Sequence, residues 1–163
     1  MRYLLLILLV AELAGCSGEP QTGPGEVRWD RETCERCAMA VSDPHYSAQV
    51  RGGPPGGNIR LYKFDDIGCA VLWLEQQRWR DNPATEIWVN DHRNGSWINA
   101  RSAWYTKGRI TPMDYGLGAQ REKSQESINF ARAVEMIHEK ERLLQTHAHT
   151  AGQLPDRLPS IKP

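Results

Sequence analysis

Hydrophobic and polar residues alternate in two short stretches near the middle of the chain. Residues 46–51 (Tyr-Ser-Ala-Gln-Val-Arg) and 59–64 (Ile-Arg-Leu-Tyr-Lys-Phe) follow the period of two that is typical of half-buried strands. Residues 52–58, Gly-Gly-Pro-Pro-Gly-Gly-Asn, separate the two stretches and break the chain. The pattern therefore predicts a β-hairpin.

The pattern then changes to a helical period. Asp66 is a good N-cap, and the segment that follows runs to about Trp79 before Asn82-Pro83 ends it. The apolar positions on one helical face are Ile67, Ala70, Val71 and Leu74. We expect this helix to cover the hairpin.

The rest of the chain repeats the order of strand, strand and helix. Residues 86–90, 96–99 and 103–106 look extended, residues 110–119 look like a loop, and a second helix is predicted from about 125 to 144, capped by Ser124. The sequence thus predicts an α+β fold of two small units packed together. The first, a ββα(β) unit, covers residues 31–91, and the second, a ββα unit, covers residues 92–145.

The first residues resemble an export signal. Arg2 precedes a short apolar run, and Leu13-Ala14-Gly15-Cys16 resembles the lipobox of bacterial lipoproteins. We expect residues 1–15 to be removed and Cys16 to carry the lipid that anchors the protein on the periplasmic side of the cell envelope. Ser17 after the cysteine favours the outer membrane.

Two segments read as unstructured. Residues 16–30 are rich in Gly, Pro and polar residues and are predicted to form a flexible tether, and residues 146–163 a disordered tail. His147 and His149 lie in that tail, where they are read as solvated side chains or a weak site for Cu(II) or zinc. The chain has 20 Lys and Arg against 20 Asp and Glu, which argues against a nucleic-acid partner.

The remaining cysteines are odd in number once Cys16 is lipidated. Cys34, Cys37 and Cys69 cannot all pair within the chain, so at least one thiol needs another explanation. A Cys34–Cys37 disulfide is the simplest alternative, and a thioredoxin-like redox motif lacks the required strand before it. A structural zinc site normally takes four ligands, and the sequence shows a single cysteine pair.

A soft monovalent metal suits these residues better. Cu(I) accepts thiolate and thioether ligands at low coordination number. In an extended segment, Cys37 and Met39 would point to the same side and form a two-sulfur clamp. Met113 lies in a Pro-containing loop and is a third candidate, whereas Met136 lies in the predicted helix and is read as core packing.

Several motifs in succession resemble the NosL family, the lipid-anchored accessory proteins of nitrous oxide reductase. They are Cys34-x-x-Cys37-x-Met39-x-Val-Ser-Asp-Pro, Phe64-Asp-Asp-Ile-Gly-Cys69, Trp88-Val-x-Asp91, Trp97-Ile-x-Ala100 and Thr111-Pro-Met113-x-Tyr-Gly116. Family members often carry Gly where this chain has Ala38. The resemblance extends from the lipobox to about residue 140.

The resemblance implies a function and a fold. It implies Cu(I) binding, a role as copper chaperone for the reductase or its membrane assembly complex, and two ββαβ-type units similar to organomercurial lyase. It implies Cys37, Met39 and Met113 as copper ligands, with Cys34 as an additional candidate. No catalytic residue is expected, because copper transfer by ligand exchange needs no general acid or base.

Three further residues near these motifs have competing interpretations. Cys69 lies in the first turn of the predicted helix, either as a small core residue or as a thiol that forms an organomercurial-cleaving pair with Cys37. Asp65 and Asp66 are most simply caps, and with Cys69 they are candidates for supporting the metal ligands by hydrogen bonds. A lipid-anchored interaction module with a Cys34–Cys37 disulfide is the remaining alternative.

Overall fold

The described part of the chain alternates short strands with helices, as the hydrophobic pattern predicts. The computed structural model describes residues 21–151, with side chains as far as Thr146. In chain order, these residues form β1 (Ala48–Gly52), β2 (Arg60–Phe64), α1 (Ile67–Glu75), β3 (Glu86–Asn90), β4 (Trp97–Asn99), β5 (Trp104–Thr106), β6 (Gly118–Gln120) and α2 (Phe130–Ala151). Within the described residues both sheets are antiparallel, and the predicted α+β class is confirmed.

The hairpin forms one side of a four-stranded sheet with the order β2-β1-β3-β4. Because β1 is a central strand, all five of its residues are buried. Ala48 and Val50 belong to the hydrophobic core, which α1 covers. The side chains of Gln49 and Arg51 alternate with them and make hydrogen bonds to backbone carbonyls outside the sheet.

Helix α1 begins where the sequence predicts. The Asp66 side chain accepts a 2.7 Å hydrogen bond from the backbone N–H of Gly68, which is the expected N-cap. The four apolar positions of the predicted face are all buried. The helix ends at Glu75 rather than near Trp79, since the backbone after it continues in single turns, with Gln77 N–H donating to the Leu74 carbonyl.

The later strands pair across the predicted boundary between the two units. Strand β4 lies within the residues predicted as the second unit, yet it pairs with β3 and completes the first sheet. In the second sheet, the partner of β5 is β6, which lies partly within the segment predicted as a loop. A run as short as Gly118–Gln120 shows no alternation of its own, and its extended form depends on pairing with β5.

Helix α2 begins five residues later than predicted. Asn129, not Ser124, caps it, because the Asn129 side chain accepts a 3.0 Å hydrogen bond from Arg132 N–H. Ser124 and Ser127 instead bond to each other in a turn. The helix continues to Ala151, so the predicted tail is helical over residues 146–151.

The predicted tether is also shorter than expected. Residues 23–27 pack on the first sheet: Gly25 donates to Gln49 Oε1 at 2.8 Å, Gln49 Nε2 returns a bond to the Gly25 carbonyl, and Val27 is buried. Arg51 Nε donates to the Gly23 carbonyl at 2.8 Å. This part of the chain satisfies polar side chains that β1 would otherwise bury without partners.

Several expectations concern residues outside the described part of the chain. They are the signal peptide, the lipidated Cys16, residues 17–20 of the tether and residues 152–163 of the tail; the side chains of His147 and His149 also lie outside it. Among the described residues, no helix is long and apolar enough to cross a membrane.

Candidate metal centre

The Cys34–Met39 segment is a tight loop rather than an extended strand. Cys34 N–H donates to the Met39 carbonyl at 2.8 Å, and Ala38 N–H donates to the Cys34 carbonyl at 3.0 Å. Ala38 closes the loop with a φ of 61°, in the left-handed region that favours glycine. The expectation of an extended Cys37-Ala38-Met39 backbone is therefore wrong, and the residue between Cys37 and Met39 does matter to the backbone.

The loop brings three thiols and one carboxylate together. The Sγ atoms of Cys34, Cys37 and Cys69 and a carboxylate oxygen of Asp65 all lie within 4.8 Å of one another. Two metal–sulfur bonds of about 2.3 Å separate their ligands by at most about 4.6 Å, so one ion fits this cluster with little movement. We call these four side chains the thiol cluster.

The four members come from three local features. Cys34 and Cys37 belong to the loop, which is fixed to β2 by a bond from Glu35 N–H to the Lys63 carbonyl. Asp65 directly follows β2, and Cys69 lies in the first turn of α1. The hairpin, the N-terminus of α1 and the loop thus meet at the cluster.

The cluster has a buried side and an accessible side. Cys34, Cys69 and Asp65 are at most 1% exposed, whereas Cys37 is half-buried and Met39 is 52% exposed. Cys37 Sγ is 3.6 Å from both carboxylate oxygens of Asp65 and donates to them. Cys37 and Met39 therefore lie on the side from which a metal can enter.

The protonation of the three thiols is uneven. A hydrogen bond from Cys69 and backbone N–H groups of Cys37, Asp65 and Arg36 lower the pKa of Cys34 against the effect of burial. The same bond to Cys34, together with burial, raises the pKa of Cys69. Burial, the neighbouring Cys34 and the charge of Asp65 raise the pKa of Cys37. The pKa values of the two buried thiols thus move apart, with that of Cys34 lowered and that of Cys69 raised.

Arg36 lies between the two loop cysteines and ties the cluster to the second unit. Its Nη1 donates to the Tyr115 hydroxyl at 3.1 Å and its Nη2 to Glu141 at 2.7 Å, and the Tyr115 hydroxyl donates to Glu141 at 2.8 Å. The guanidinium also faces the Cys69 thiol. Burial opposes its charge, but Tyr115, Cys69 and Glu141 outweigh that effect and raise the pKa of Arg36.

The Thr-Pro-Met loop lies against the other side of the α1 N-terminus. Burial raises the pKa of the Asp66 carboxyl to about 6, against the lowering effect of the nearby Thr111 side chain and of the Gly68 and Met113 backbones. Met113 is partly buried and packs against the core. The structure thus brings the loop to the same helix end as Cys69, and the predicted ligand set of Cys37, Met39 and Met113 stays a prediction.

Sequence reasoning underestimated Cys69 and Asp65. For the copper site, the sequence presented both residues only as hydrogen-bonding supports of the ligands. Their ligand atoms nevertheless lie within 4.8 Å of the Cys34 and Cys37 sulfurs. With Cys34 and Cys37 they make up the four ligands that a tetrahedral zinc site takes. The argument from the sequence that zinc would lack ligands therefore does not hold. Among the described residues, Cys34, Cys37 and Cys69 are free thiols.

Similarity to a known protein is found at the level of structure. No family model and no curated protein matches the chain. A solved structure that resembles it is the crystal structure of the copper chaperone NosL from Shewanella denitrificans, with a TM-score of 0.47 and 15% sequence identity. The match covers 74% of this chain and 88% of that chain. The chain is similar to this copper chaperone, at a level too low to assign that protein's activity to it.

Proposed function

We propose that this chain is an extracytoplasmic, lipid-anchored Cu(I)-binding protein that acts as a copper chaperone in the maturation of the nitrous oxide reductase copper centre. The observation that carries the proposal is the thiol cluster, in which three sulfur atoms and one carboxylate oxygen lie within 4.8 Å of one another. The exposed Met39 adjoins its accessible member, Cys37. Thiolate and thioether together favour a soft metal such as Cu(I).

The geometry suits transfer rather than permanent storage. Cys37 and Met39 lie at the accessible side, so an incoming ligand can replace one of them while the ion keeps its remaining bonds. Copper then passes through a shared intermediate and is never released as a free ion. Because ligand exchange requires no covalent chemistry, we propose a metallochaperone rather than an enzyme.

The location and the partner rest on the sequence motifs. The Leu-Ala-Gly-Cys16 motif supports a lipid anchor on the periplasmic side of the envelope, with the outer membrane favoured by Ser17. The ordered motifs shared with the NosL family support nitrous oxide reductase, or its membrane assembly complex, as the acceptor. Deletion of the gene should lower the copper content of the reductase, measured on purified enzyme, while leaving its polypeptide level unchanged.

The binding site is tested by anaerobic titration with Cu(I) against a competing chelator. The protein is the mature chain from residue 16, with Cys16→Ser in place of the lipidated residue. Tight binding with sulfur-dominated coordination in X-ray absorption is expected, and Met39→Leu or Met113→Leu should weaken it. Met136→Leu is the matched control, because Met136 packs against the core on α2.

The outcomes separate the alternatives. Equal binding by all three methionine variants would remove Met39 and Met113 from the site. Preference for zinc over Cu(I) under the same conditions would make the cluster a zinc site, and no binding at all would favour the disulfide-containing interaction module.

A second candidate function is cleavage of an organomercurial, which the meeting of Cys37, Cys69 and Asp65 favours. Cys37 and Cys69 would bind mercury as thiolates, with the Cys37 proton passing to Asp65 and the Cys69 proton to solvent. The electron pair of the carbon–mercury bond would then go to carbon, and Asp65 would deliver the Cys37 proton to that carbon. The products are a hydrocarbon and Hg(II) held by two thiolates. Hydrocarbon release that depends on Asp65 would support this activity, and its absence with the wild-type chain excludes it.

A further inference from the structure

We propose that Cys34 and Cys69 form a second Cu(I) site, buried behind the one made by Cys37 and the two methionines. This inference rests on the proposed Cu(I) binding and extends it to a site that does not need the accessible ligands. We call the first the entrance site (Cys37, Met39, Met113) and the second the buried site (Cys34, Cys69).

The two sites differ in how deeply their sulfur atoms are buried. Cys34 and Cys69 have at most 1% of their surface exposed, and both belong to the hydrophobic core. A buried sulfur pair excludes water and other competing ligands, and Cu(I) tolerates the coordination number of two that such a pair provides. The two Sγ atoms lie within 4.8 Å of each other, close to the separation of about 4.6 Å that two opposed metal–sulfur bonds of about 2.3 Å require.

The loop backbone fixes the position of Cys34. Cys34 N–H donates to the Met39 carbonyl at 2.8 Å, and the Cys34 carbonyl accepts from Ala38 N–H at 3.0 Å. Because these bonds join backbone groups, they persist when the entrance side chains are replaced.

Arg36 supplies the counter-charge. Two thiolates and one Cu(I) ion carry a net charge of −1, which is costly to bury without a nearby positive charge. Cys69 is among the groups that favour the charge of Arg36. Hydrogen bonds of 3.1 Å to Tyr115 and 2.7 Å to Glu141 fix the position of the guanidinium. The Asp65 carboxylate is as deeply buried as the pair, and its contacts at 3.6 Å are with the entrance ligand Cys37.

Loading the buried site is a simple exchange. The S–H bonds of Cys34 and Cys69 break as the two copper–sulfur bonds form, and the protons leave to solvent. No electron is transferred, so no oxidant or reductant is needed.

The decisive experiment removes the entrance ligands. The soluble mature chain with Cys37→Ser, Met39→Leu and Met113→Leu is titrated anaerobically with Cu(I) against a chelator, and the loaded form is measured by X-ray absorption. We expect one Cu(I) ion with two sulfur ligands, and the loss of that ion when Cys69→Ala is added. Circular dichroism melts confirm that each variant is folded.

The possible results distinguish the inference from the proposed function. If the wild-type chain binds Cu(I) and the entrance variant binds none, the buried site is overturned and the chaperone proposal stands. If the entrance variant binds Cu(I) and keeps it after Cys69→Ala, the buried site is also overturned. If the wild-type chain binds no Cu(I), both fail.

Arg36 provides an independent readout. In the entrance variant, Arg36→Met should weaken Cu(I) binding by about tenfold or more, because it removes a charge-assisted contact, and Arg36→Lys should restore part of the affinity. Arg132→Met is the matched control, since Arg132 pairs with glutamates on the exposed face of α2. Equal affinities for the Arg36 and Arg132 variants would contradict the assigned role of Arg36.

Discussion

The ring of Tyr115 lies directly on the backbone of Gly68. A Cβ atom added to Gly68 would come within 2.2 Å of Cδ2 of Tyr115, too close for any side chain. Gly68 is the second residue of α1 and lies next to Cys69, so this contact seats the Tyr115 segment against the helix end that carries a cluster thiol.

Gly68→Ala should therefore destabilise the fold although alanine favours helices. We expect the free energy of unfolding to fall by about 1–3 kcal/mol, as for other overpacked sites, because the Tyr115 ring must move. Denaturant unfolding measures the change. Tyr115→Ala in the same chain should recover part of the loss, and an additive double mutant would contradict the contact.

Ala38→Gly should stabilise the cysteine loop. Ala38 has a φ of 61°, which costs an L-residue about 1 kcal/mol or more and costs glycine little. We expect a gain of up to about 1 kcal/mol in denaturant unfolding. Ala40→Gly, two residues along and without a positive φ, is the matched control and should lose about 0.5–1 kcal/mol. If both substitutions changed the free energy of unfolding in the same direction, the strain at Ala38 would be contradicted.

Gln49→Ala should release residues 23–27 from the sheet. Gln49 is fully buried, and it exchanges two hydrogen bonds with the backbone of Gly25. Its loss leaves those groups without partners, at a cost of about 2–3 kcal/mol. Hydrogen exchange should then increase in residues 23–27 before it increases in β1. Gln76→Ala, at an exposed position after α1, should change neither quantity.

The Asp91 carboxyl should make part of the free energy of unfolding depend on pH. The hydrogen bond from Arg93 lowers the pKa of the Asp91 carboxyl to about 2, from an ordinary value of 3.8, in spite of burial. A lowered folded-state pKa contributes stability that is present above about pH 4 and lost as the pH falls toward 2.

Asp91→Asn should therefore cost about 1–2 kcal/mol at pH 7, allowing for the half-exposed Arg93 partner, and much less at pH 2. Thermal or denaturant unfolding at the two pH values measures the difference. Asp81→Asn is the control, because the Asp81 side chain is exposed and pairs only with its neighbour Arg80. A loss for Asp91→Asn that is independent of pH would show that the cost is steric.

Local signals in the sequence predicted local structure well. The hairpin, the Asp66 cap and the bounds of β3 follow from alternation, turn residues and capping chemistry, all of which act within a few residues. The partner of β4 could not be predicted, since strand pairing depends on contacts between distant segments. The cap at Asn129 was missed because Ser124 offers the same chemistry five residues earlier.

The metal centre was predictable in kind but not in composition. The loop motif pointed to sulfur ligands and a soft metal, and Cys34 and Cys37 lie in the cluster. That Cys69 and Asp65 join them depends on how α1 is seated against the loop, which no local pattern encodes. The left-handed Ala38 was likewise hidden, because alanine gives no sign of an unusual φ.

The docking of residues 23–27 on the sheet sets the length of the proposed tether. If Cys16 carries a lipid, as we propose, residues 16–22 connect the anchor to the first segment that the structure fixes to the fold. A chain of that length spans at most about 25 Å even when fully stretched. The proposed anchor would therefore keep the folded part next to the bilayer, and a partner that exchanges metal with it would have to bind there.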